Sequence, residues 1–248
     1  MKALAVLLAA LAVVAGATPV RAQQEQFETR ELIGQVGSRT ALLALYSTRR
    51  TDSNWRVTGE YLMLPTLTRR YLEGDRSPEF GFTSLREGAS AILFGHPSTG
   101  ELRGTYRDGV FKGVRYGPGG QERERFEFSE DFPTMDGYSA SVSCEMNDAR
   151  YGARLAYAVE AGKVKSFEWS SQLRPNGHRC ALASPPQQAM KGGLRLASGN
   201  CVVTLRDVIE GVKVAAENCA AACGSEAYFE PVLVDRRGGC VPLRAESR

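Results

Sequence analysis

The amino-acid sequence predicts a mainly β protein in two parts. We expect an N-terminal antiparallel barrel or sandwich, followed by a disulfide-stapled β-domain with one short helix. Strand-length segments that alternate apolar and polar residues recur through the chain, turn-forming glycine pairs separate them, and all six cysteines lie at or after Cys144. The composition, 43% hydrophobic and 24% charged over 248 residues, is that of an ordinary globular protein.

The first 22 residues have the features of a signal peptide. Lys2 supplies a positive start, Ala3–Ala17 is an apolar run too short to span a bilayer comfortably, and Ala22 is a small residue at the expected cut. The alternatives are a buried N-terminal helix or an uncleaved anchor. We therefore expect a periplasmic or secreted mature protein, with no membrane insertion after cleavage.

The net charge argues against nucleic acid as a partner. Lys and Arg number 31 against 28 Asp and Glu, a formal charge of +3, and Lys2 and Arg21 belong to the predicted leader. The mature chain is therefore almost neutral, whereas proteins that bind nucleic acid carry a concentrated basic excess.

The cysteines divide the mature chain into two predicted domains. No cysteine occurs between Gln23 and Ser143. The segment Phe132–Gly137 carries Pro and Gly without apolar periodicity, which is typical of a boundary. We place an N-terminal β-domain at 23–132 and a C-terminal, disulfide-containing β-domain at 133–248.

Short strands separated by turns are predicted throughout the N-terminal domain. Asp108-Gly109 suits a two-residue hairpin turn, because both central residues of that turn need a positive φ. Phe126 and Phe128 share one face of a strand whose other face is charged, as in a half-buried sheet. About eight strands at this spacing predict an antiparallel barrel or sandwich. The clearest segments are Thr40–Tyr46, Trp55–Tyr61, Thr105–Phe111 and Arg123–Phe128.

Several segments of this domain share a pattern of glycine and aromatic residues. They are Val57–Tyr61, Leu72–Gly74, Thr99–Gly104 and Gly109–Gly113. The pattern resembles that of exported bacterial β-rich proteins of unknown function, in which Gly-x-Tyr strands alternate with Gly-x-Phe-x-Gly hairpins. The resemblance implies a β-rich exported module and assigns no catalytic residue.

The C-terminal domain continues with predicted hairpins. Ala161–Lys163 forms a compact turn, Asn176-Gly177 is a second turn signal, and Ser184–Gln188 is predicted to be a loop. The strands expected beside these turns are Leu155–Glu160, Val164–Trp169, Cys201–Leu205 and Gly211–Ala216.

The cysteines favour disulfides over a metal or redox site. Zinc sites usually contain repeated Cys-x-x-Cys spacings and redox centres a single one, and the sequence contains neither. Six cysteines in an exported domain of this size usually form three bonds. The expected participants are Cys144, Cys180, Cys201, Cys219, Cys223 and Cys240.

A short helix is predicted around the two most closely spaced cysteines. Asn218 can cap its start, the alanines favour helix, and Gly224 can end it. Cys219 and Cys223 would then share one face. We hypothesise that these two cysteines pair with Cys201 and Cys240, in either order, and that Cys144 pairs with Cys180.

Neither histidine belongs to a catalytic motif. His96 lies in Gly95–Gly100, whose spacing differs from the Gly-x-Ser-x-Gly of serine hydrolases. His178 lies two residues from Cys180, which is expected to be bridged. Phosphate-binding loops, zinc-protease motifs and calcium loops are missing from the sequence. We therefore predict no catalytic, cofactor-binding or metal-binding residue, and no cofactor.

Carboxylates are the one catalytic class that spacing does not exclude. Glycosidases need only two acids, which the fold places about 5–10 Å apart. Glu60, Glu73, Asp75 and Glu87 lie near aromatic residues, although acids of this kind usually belong to turns and surfaces.

These observations predict an exported, non-enzymatic protein of the cell envelope that binds a ligand or another protein. The expected partner is an envelope protein or a glycan. The alternatives are an inhibitor of an envelope-attacking hydrolase and a carboxylate-dependent glycan hydrolase. A cleft with two converging acids would favour the hydrolase, and a flat surface with exposed aromatic residues would favour a binding protein.

Overall fold

The computed structural model describes residues 27–49, 55–64, 66–77, 82–90, 97–224 and 228–243. These residues form a closed eight-stranded barrel, a four-stranded sheet, a six-stranded sheet and one helix of four residues. The prediction of a mainly β fold, with an antiparallel barrel ahead of a disulfide-linked part, is confirmed. The predicted signal peptide at 1–22 lies outside the described residues.

The barrel is an antiparallel meander in which each strand pairs with the next. The first strand also pairs with the last, which closes the sheet. The strands are β1 (Phe27–Val36), β2 (Arg39–Arg49), β3 (Trp55–Met63), β4 (Thr68–Ser77), β5 (Phe82–Gly88), β6 (Gly100–Arg107), β7 (Val110–Tyr116) and β8 (Glu122–Ser129).

Side-chain alternation fills the barrel with apolar groups. Phe126 and Phe128 of β8 both belong to the barrel core, as their spacing predicts. The rings of Phe111 and Phe126 lie 4.7 Å apart between centroids. The predicted Asp108-Gly109 turn joins β6 to β7, with φ of 52° and 76°.

Glycines in the barrel strands let the wall curve closely. A Cβ atom on any of them would overlap a main-chain oxygen of the neighbouring strand. Such close approach is typical of tight bends at barrel corners. These glycines are Gly34, Gly59, Gly74, Gly104 and Gly113.

The C-terminal part contains two antiparallel sheets. The four-stranded sheet contains β9 (Ala140–Asn147), β10 (Tyr151–Glu160), β11 (Lys163–Leu173) and β12 (Arg179–Ala183). The six-stranded sheet contains β13 (Gln187–Gln188), β14 (Leu194–Ser198), β15 (Cys201–Asp207), β16 (Gly211–Glu217), β17 (Val232–Asp235) and β18 (Cys240–Pro242). Helix α1 (Ala220–Cys223) follows β16.

One apolar core joins the two sheets. Trp169 and Phe167 of β11 pack with Val203 of β15 and Val214 of β16 in this core. The ring of Trp169 lies 4.9 Å from that of Phe229 between centroids. The two sheets therefore form a sandwich.

Two local predictions in this part need correction. Asn218 was expected to cap helix α1, but it adopts a left-handed φ of 56°, and Cys219 is the N-cap without a side-chain bond. Gln187–Gln188 was expected in a loop, but it pairs with β14 as a short strand. Main-chain pairing to a neighbouring strand outweighed the local preference for a loop.

All six cysteines are paired, in an arrangement that differs from the hypothesis. Cys219 bonds to Cys201, as one of the two expected orders requires. Cys223 bonds to Cys180 rather than Cys240.

The remaining bond joins Cys144 to Cys240 rather than Cys180. The physical reason for both corrections is the sandwich, because it places β9 beside β18 and helix α1 beside β12. Two of the bonds therefore link the two layers of the sandwich. Cys144–Cys240 joins β9 to β18, and Cys180–Cys223 joins β12 to helix α1.

The six-stranded sheet also packs against the outer wall of the barrel. Val208 and Leu233 contact a cluster that includes Ile33 and Leu62 of the barrel. Phe132 belongs to the same cluster, so the predicted boundary at 132/133 falls between β8 and β9, at the junction. The six-stranded sheet is therefore the middle layer between the barrel and the four-stranded sheet.

The turn between β15 and β16 holds an isoleucine in a strained conformation. Ile209 has a φ of 69°, which is costly for a β-branched residue. The Glu210 amide donates to the Val208 carbonyl at 2.8 Å, and Arg236 donates to the Ile209 carbonyl at 2.8 and 3.0 Å. The side chain is nevertheless 50% exposed, so packing does not offset the strain.

Replacing this isoleucine should therefore stabilise the protein. We expect Ile209→Asn to raise the free energy of unfolding by about 1 kcal/mol, because asparagine tolerates a positive φ. Urea denaturation measures the change. Ile209→Val is the matched control, since valine retains the strain; an Ile209→Asn protein no more stable than this control would contradict the prediction.

Candidate functional site

The interior of the barrel ends in a buried carboxylate. Glu87 is fully buried, and the Nε and Nη2 atoms of Arg115 each donate to it at 2.8 Å. The Thr99 hydroxyl donates at 3.0 Å, and the Tyr61 hydroxyl donates as well. Every oxygen of this carboxylate is thereby hydrogen-bonded.

The strand register brings these residues together. Thr83, Leu85 and Glu87 alternate into the barrel along β5, and β7 directs Phe111 and Arg115 inward in the same way. Glu87 pairs with Gly100 across β5 and β6. A glutamate therefore takes the last inward position of this strand, after Thr83 and Leu85.

The network fixes the protonation states of Glu87 and Tyr61. Burial alone would raise the pKa of Glu87, but hydrogen bonds from Arg115 and Tyr61 outweigh burial and hold this pKa below its ordinary value. Burial and the neighbouring carboxylate raise the pKa of the Tyr61 phenol. Tyr61 therefore remains a donor, and Glu87 remains an acceptor, across the neutral range.

A second carboxylate, that of Glu124, lies at the mouth of the barrel beyond Glu87. Glu124 accepts from Arg39 Nη2 at 2.9 and 3.2 Å and from Arg115 Nη1 at 3.4 Å. An opening of about 490 Å³ lies beside it, which we call the barrel-end opening. Its lining consists of Arg39, Thr99, Arg115, Gly117, Pro118, Arg123 and Glu124.

The four acids singled out in the sequence do not come together. Glu60 pairs with Arg69 and Glu73 pairs with Arg56, both on the outer wall of the barrel. Asp75 is exposed on the same strand as Glu73, whereas Glu87 points inward. The barrel wall separates Glu87 from the others.

The histidine–cysteine proximity in the sequence does not produce a reactive pair. Nε2 of His178 lies 2.7 Å from the main-chain oxygen of Cys223, and Cys180 is bonded to Cys223. His96 lies outside the described residues.

Within the described ranges, no group of three or more His, Cys, Asp or Glu side chains is placed to hold a metal ion. The same ranges contain no helix with the length and apolarity needed to cross a membrane.

Sequence reasoning singled out Glu87 but missed its partners and the barrel-end opening. A usable signal was the side-chain alternation. Glu124 occupies the same phase as Phe126 and Phe128, and Arg115 the same phase as Phe111. Charged residues in an apolar phase mark the point where a barrel interior reaches its mouth.

Comparison with protein-family models, with curated proteins and with solved structures finds no match to this chain.

Proposed function

We propose that this protein is an exported ligand-binding protein of the cell envelope, and that the barrel-end opening binds a small anion with a carboxylate or phosphate group. The observation that carries the proposal is the position of Glu124. Its carboxylate already lies between Arg39 and Arg115, so the two guanidinium groups have the spacing to hold an anion. Arginine forks of this kind match carboxylate and phosphate oxygens.

The charge balance favours an incoming anion. Glu87 accepts two hydrogen bonds from Arg115 and also lies 3.5 Å from Arg70 Nε. Arg39 and Arg123 line the opening beside the single carboxylate of Glu124, so four guanidinium groups face two carboxylates and two positive charges are in excess. An anion that displaces Glu124, or that bridges Arg39 and Arg123 beside it, would gain charge-assisted hydrogen bonds.

The proposal of export rests on the leader-like segment at 1–22, and three disulfides are compatible with an oxidising compartment.

The alternative function, glycan hydrolysis, has less support. A general acid needs a raised pKa, whereas the pKa of Glu87 is lowered. Binding without catalysis therefore fits the described residues better.

Calorimetric titration at low salt with inorganic phosphate and with acetate tests the proposal. We expect Arg39→Gln and Arg123→Gln each to weaken phosphate binding about tenfold, since each removes a charge-assisted hydrogen bond. Glu124→Gln should strengthen binding, because it removes the internal competitor.

Arg125→Gln is the matched control. Arg125 is exposed on the same strand, one residue from Glu124 and on the outer face. Its replacement should leave binding unchanged. Failure of both anions to bind the wild-type and Glu124→Gln proteins, or an equal loss in Arg125→Gln, would overturn the proposal.

A further inference from the structure

A second cavity lies between the outer wall of the barrel and the six-stranded sheet. We call it the interdomain cleft. Its volume is about 130 Å³. The barrel contributes the outward-facing side chains of β2 and β3 to this cleft, among them Leu42 and Leu62, and the C-terminal part contributes Phe132, Pro231 and Leu243. The walls are thus apolar on both sides.

The barrel wall supplies two carboxylates in a single row. Glu31 of β1 pairs with Ala44 of β2, and Ala44 pairs with Glu60 of β3. All three residues line the cleft. Because neighbouring strands lie about 4.8 Å apart, the small alanine leaves a gap between the two acids.

Each carboxylate is already paired with a cation that lines the cleft. Lys213 of β16 pairs with Glu31, and Arg69 pairs with Glu60. Arg69 also donates to the Leu243 carbonyl at 2.6 Å, which closes one end of the cleft. The two ion pairs therefore lie at the two ends of this row, with Ala44 between them and with Leu42 and Leu62 in the next row along the strands.

The pairing of these charges determines what kind of ligand fits. A charged ligand would have to break an ion pair at the junction, and a broken, partly buried pair leaves an uncompensated charge. A neutral ligand need not do so, because a paired carboxylate keeps free lone pairs and a paired guanidinium or ammonium keeps free N–H donors. A hydroxyl group can donate to such a lone pair and accept from such an N–H group.

The open side of the cleft carries a further polar group. Tyr46 lines the cleft and is 40% exposed. Burial, Glu60 and Glu31 raise the pKa of its phenol, so its hydroxyl stays protonated and can both donate and accept. A ligand with several hydroxyl groups meets a partner at each end and at the mouth.

The volume limits the ligand to about one ring. An apolar protein cavity of about 150 Å³ holds benzene, so 130 Å³ accommodates most of one six-membered ring while its edge projects past Tyr46.

We propose that the interdomain cleft binds one neutral hydroxylated ring, with the size and chemistry of a single sugar unit. Its apolar face would lie on Phe132 and Leu62, and its hydroxyl groups on the paired side chains of Glu31 and Glu60. This proposal is independent of the barrel-end opening.

NMR titration of the full mature chain with glucose, N-acetylglucosamine and myo-inositol tests the inference. We expect shifts confined to residues that line the cleft, for at least one of these probes. Glucosamine, which carries a positive charge, should bind more weakly than N-acetylglucosamine. Saturating phosphate should leave this binding unchanged, which separates the cleft from the barrel-end opening.

Two variants locate the site. Ala44→Leu fills the gap between the acids and should weaken binding at least tenfold, whereas Thr48→Leu, on the same face of β2 beyond the cleft, should leave it unchanged. Tyr46→Phe retains the ring and should weaken binding of the hydroxylated probes several-fold, which corresponds to the loss of one hydrogen bond.

Tyr46→Phe keeps the test decisive if Ala44→Leu does not fold. The inference is wrong if none of the three neutral probes shifts the cleft resonances. It is equally wrong if benzene binds there and the hydroxylated rings do not, or if both Ala44→Leu and Tyr46→Phe bind like the wild-type protein.

Discussion

Replacement of Glu87 by alanine is expected to lower the free energy of unfolding by about 3–5 kcal/mol, because it leaves one partner of a buried ion pair uncompensated. The side chain of Arg115 is only 17% exposed, and two of its nitrogens would lose their acceptor inside the barrel. Tyr61 would lose its acceptor as well. Urea denaturation followed by circular dichroism measures the loss.

The double variant Glu87→Leu with Arg115→Met is the control for this prediction. Replacing both side chains with apolar ones removes the buried uncompensated charge and leaves only Arg70, whose Nε lies 3.5 Å from Glu87 and whose side chain is 33% exposed, without this partner, so most of the stability should return. A double variant as unstable as Glu87→Ala would show that packing, rather than the broken pair, causes the loss.

The contribution of the Glu87 carboxylate to the free energy of unfolding should depend on pH. The folded pKa of Glu87 is lowered, so its stabilising contribution is complete above the ordinary glutamate pKa and disappears as pH falls through the lower folded value. The difference in stability between the wild-type and Glu87→Gln proteins should therefore be constant near neutral pH and shrink in acid. A difference that grew in acid would contradict this sign.

Removal of the bond between Cys144 and Cys240 is expected to cost about 4 kcal/mol, the largest loss among the disulfides. The bond joins residues 96 positions apart, and cross-links that close longer loops restrict the unfolded chain more. The Cys180–Cys223 bond lies inside this loop and shortens it, which keeps the expected loss near 4 kcal/mol rather than higher.

The matched comparison is the pair of serine double variants, Cys144→Ser with Cys240→Ser against Cys201→Ser with Cys219→Ser. The second bond spans only 18 positions, and its loss should cost about 3 kcal/mol. Denaturation without reductant gives both values. The prediction fails if the shorter cross-link proves the more stabilising of the two.

Local features of this chain could be predicted from residue type and spacing. The Asp108-Gly109 turn, the inward phase of Phe126 and Phe128, and the short helix that ends at Gly224 all depend on a few neighbouring residues. Turn chemistry and side-chain alternation act over that range. The structure accordingly contains each of them.

Cysteine pairing could not be predicted in full. Cys201 and Cys219 flank one hairpin, and that pairing was among the expected orders. The bonds of Cys144 and Cys180 depend on which strands become neighbours across the sandwich. That choice belongs to packing between distant segments, and six cysteines alone allow many pairings.

The candidate site depends on barrel closure. Glu124 follows the turn into β8, Arg39 follows the turn into β2, and they meet because β1 pairs with β8. Arg115, in contrast, lies directly opposite Glu124 in the β7–β8 hairpin and reaches Glu87 across β6, so these two contacts do not need the closure. Spacing along the chain contains no sign of the contact between Arg39 and Glu124, since an open sheet with β1 and β8 unpaired would separate them.

The sequence by itself determined the mainly β content, the Asp108-Gly109 turn and the shared inward face of Phe126 and Phe128, because those follow from interactions between residues a few positions apart. Only the tertiary structure decided between barrel and sandwich in the N-terminal half, the partner of each edge cysteine, and the meeting of Arg39 with Glu124. Each of those depends on pairing between strands far apart in the chain, where the energy comes from burial and closure of the whole sheet.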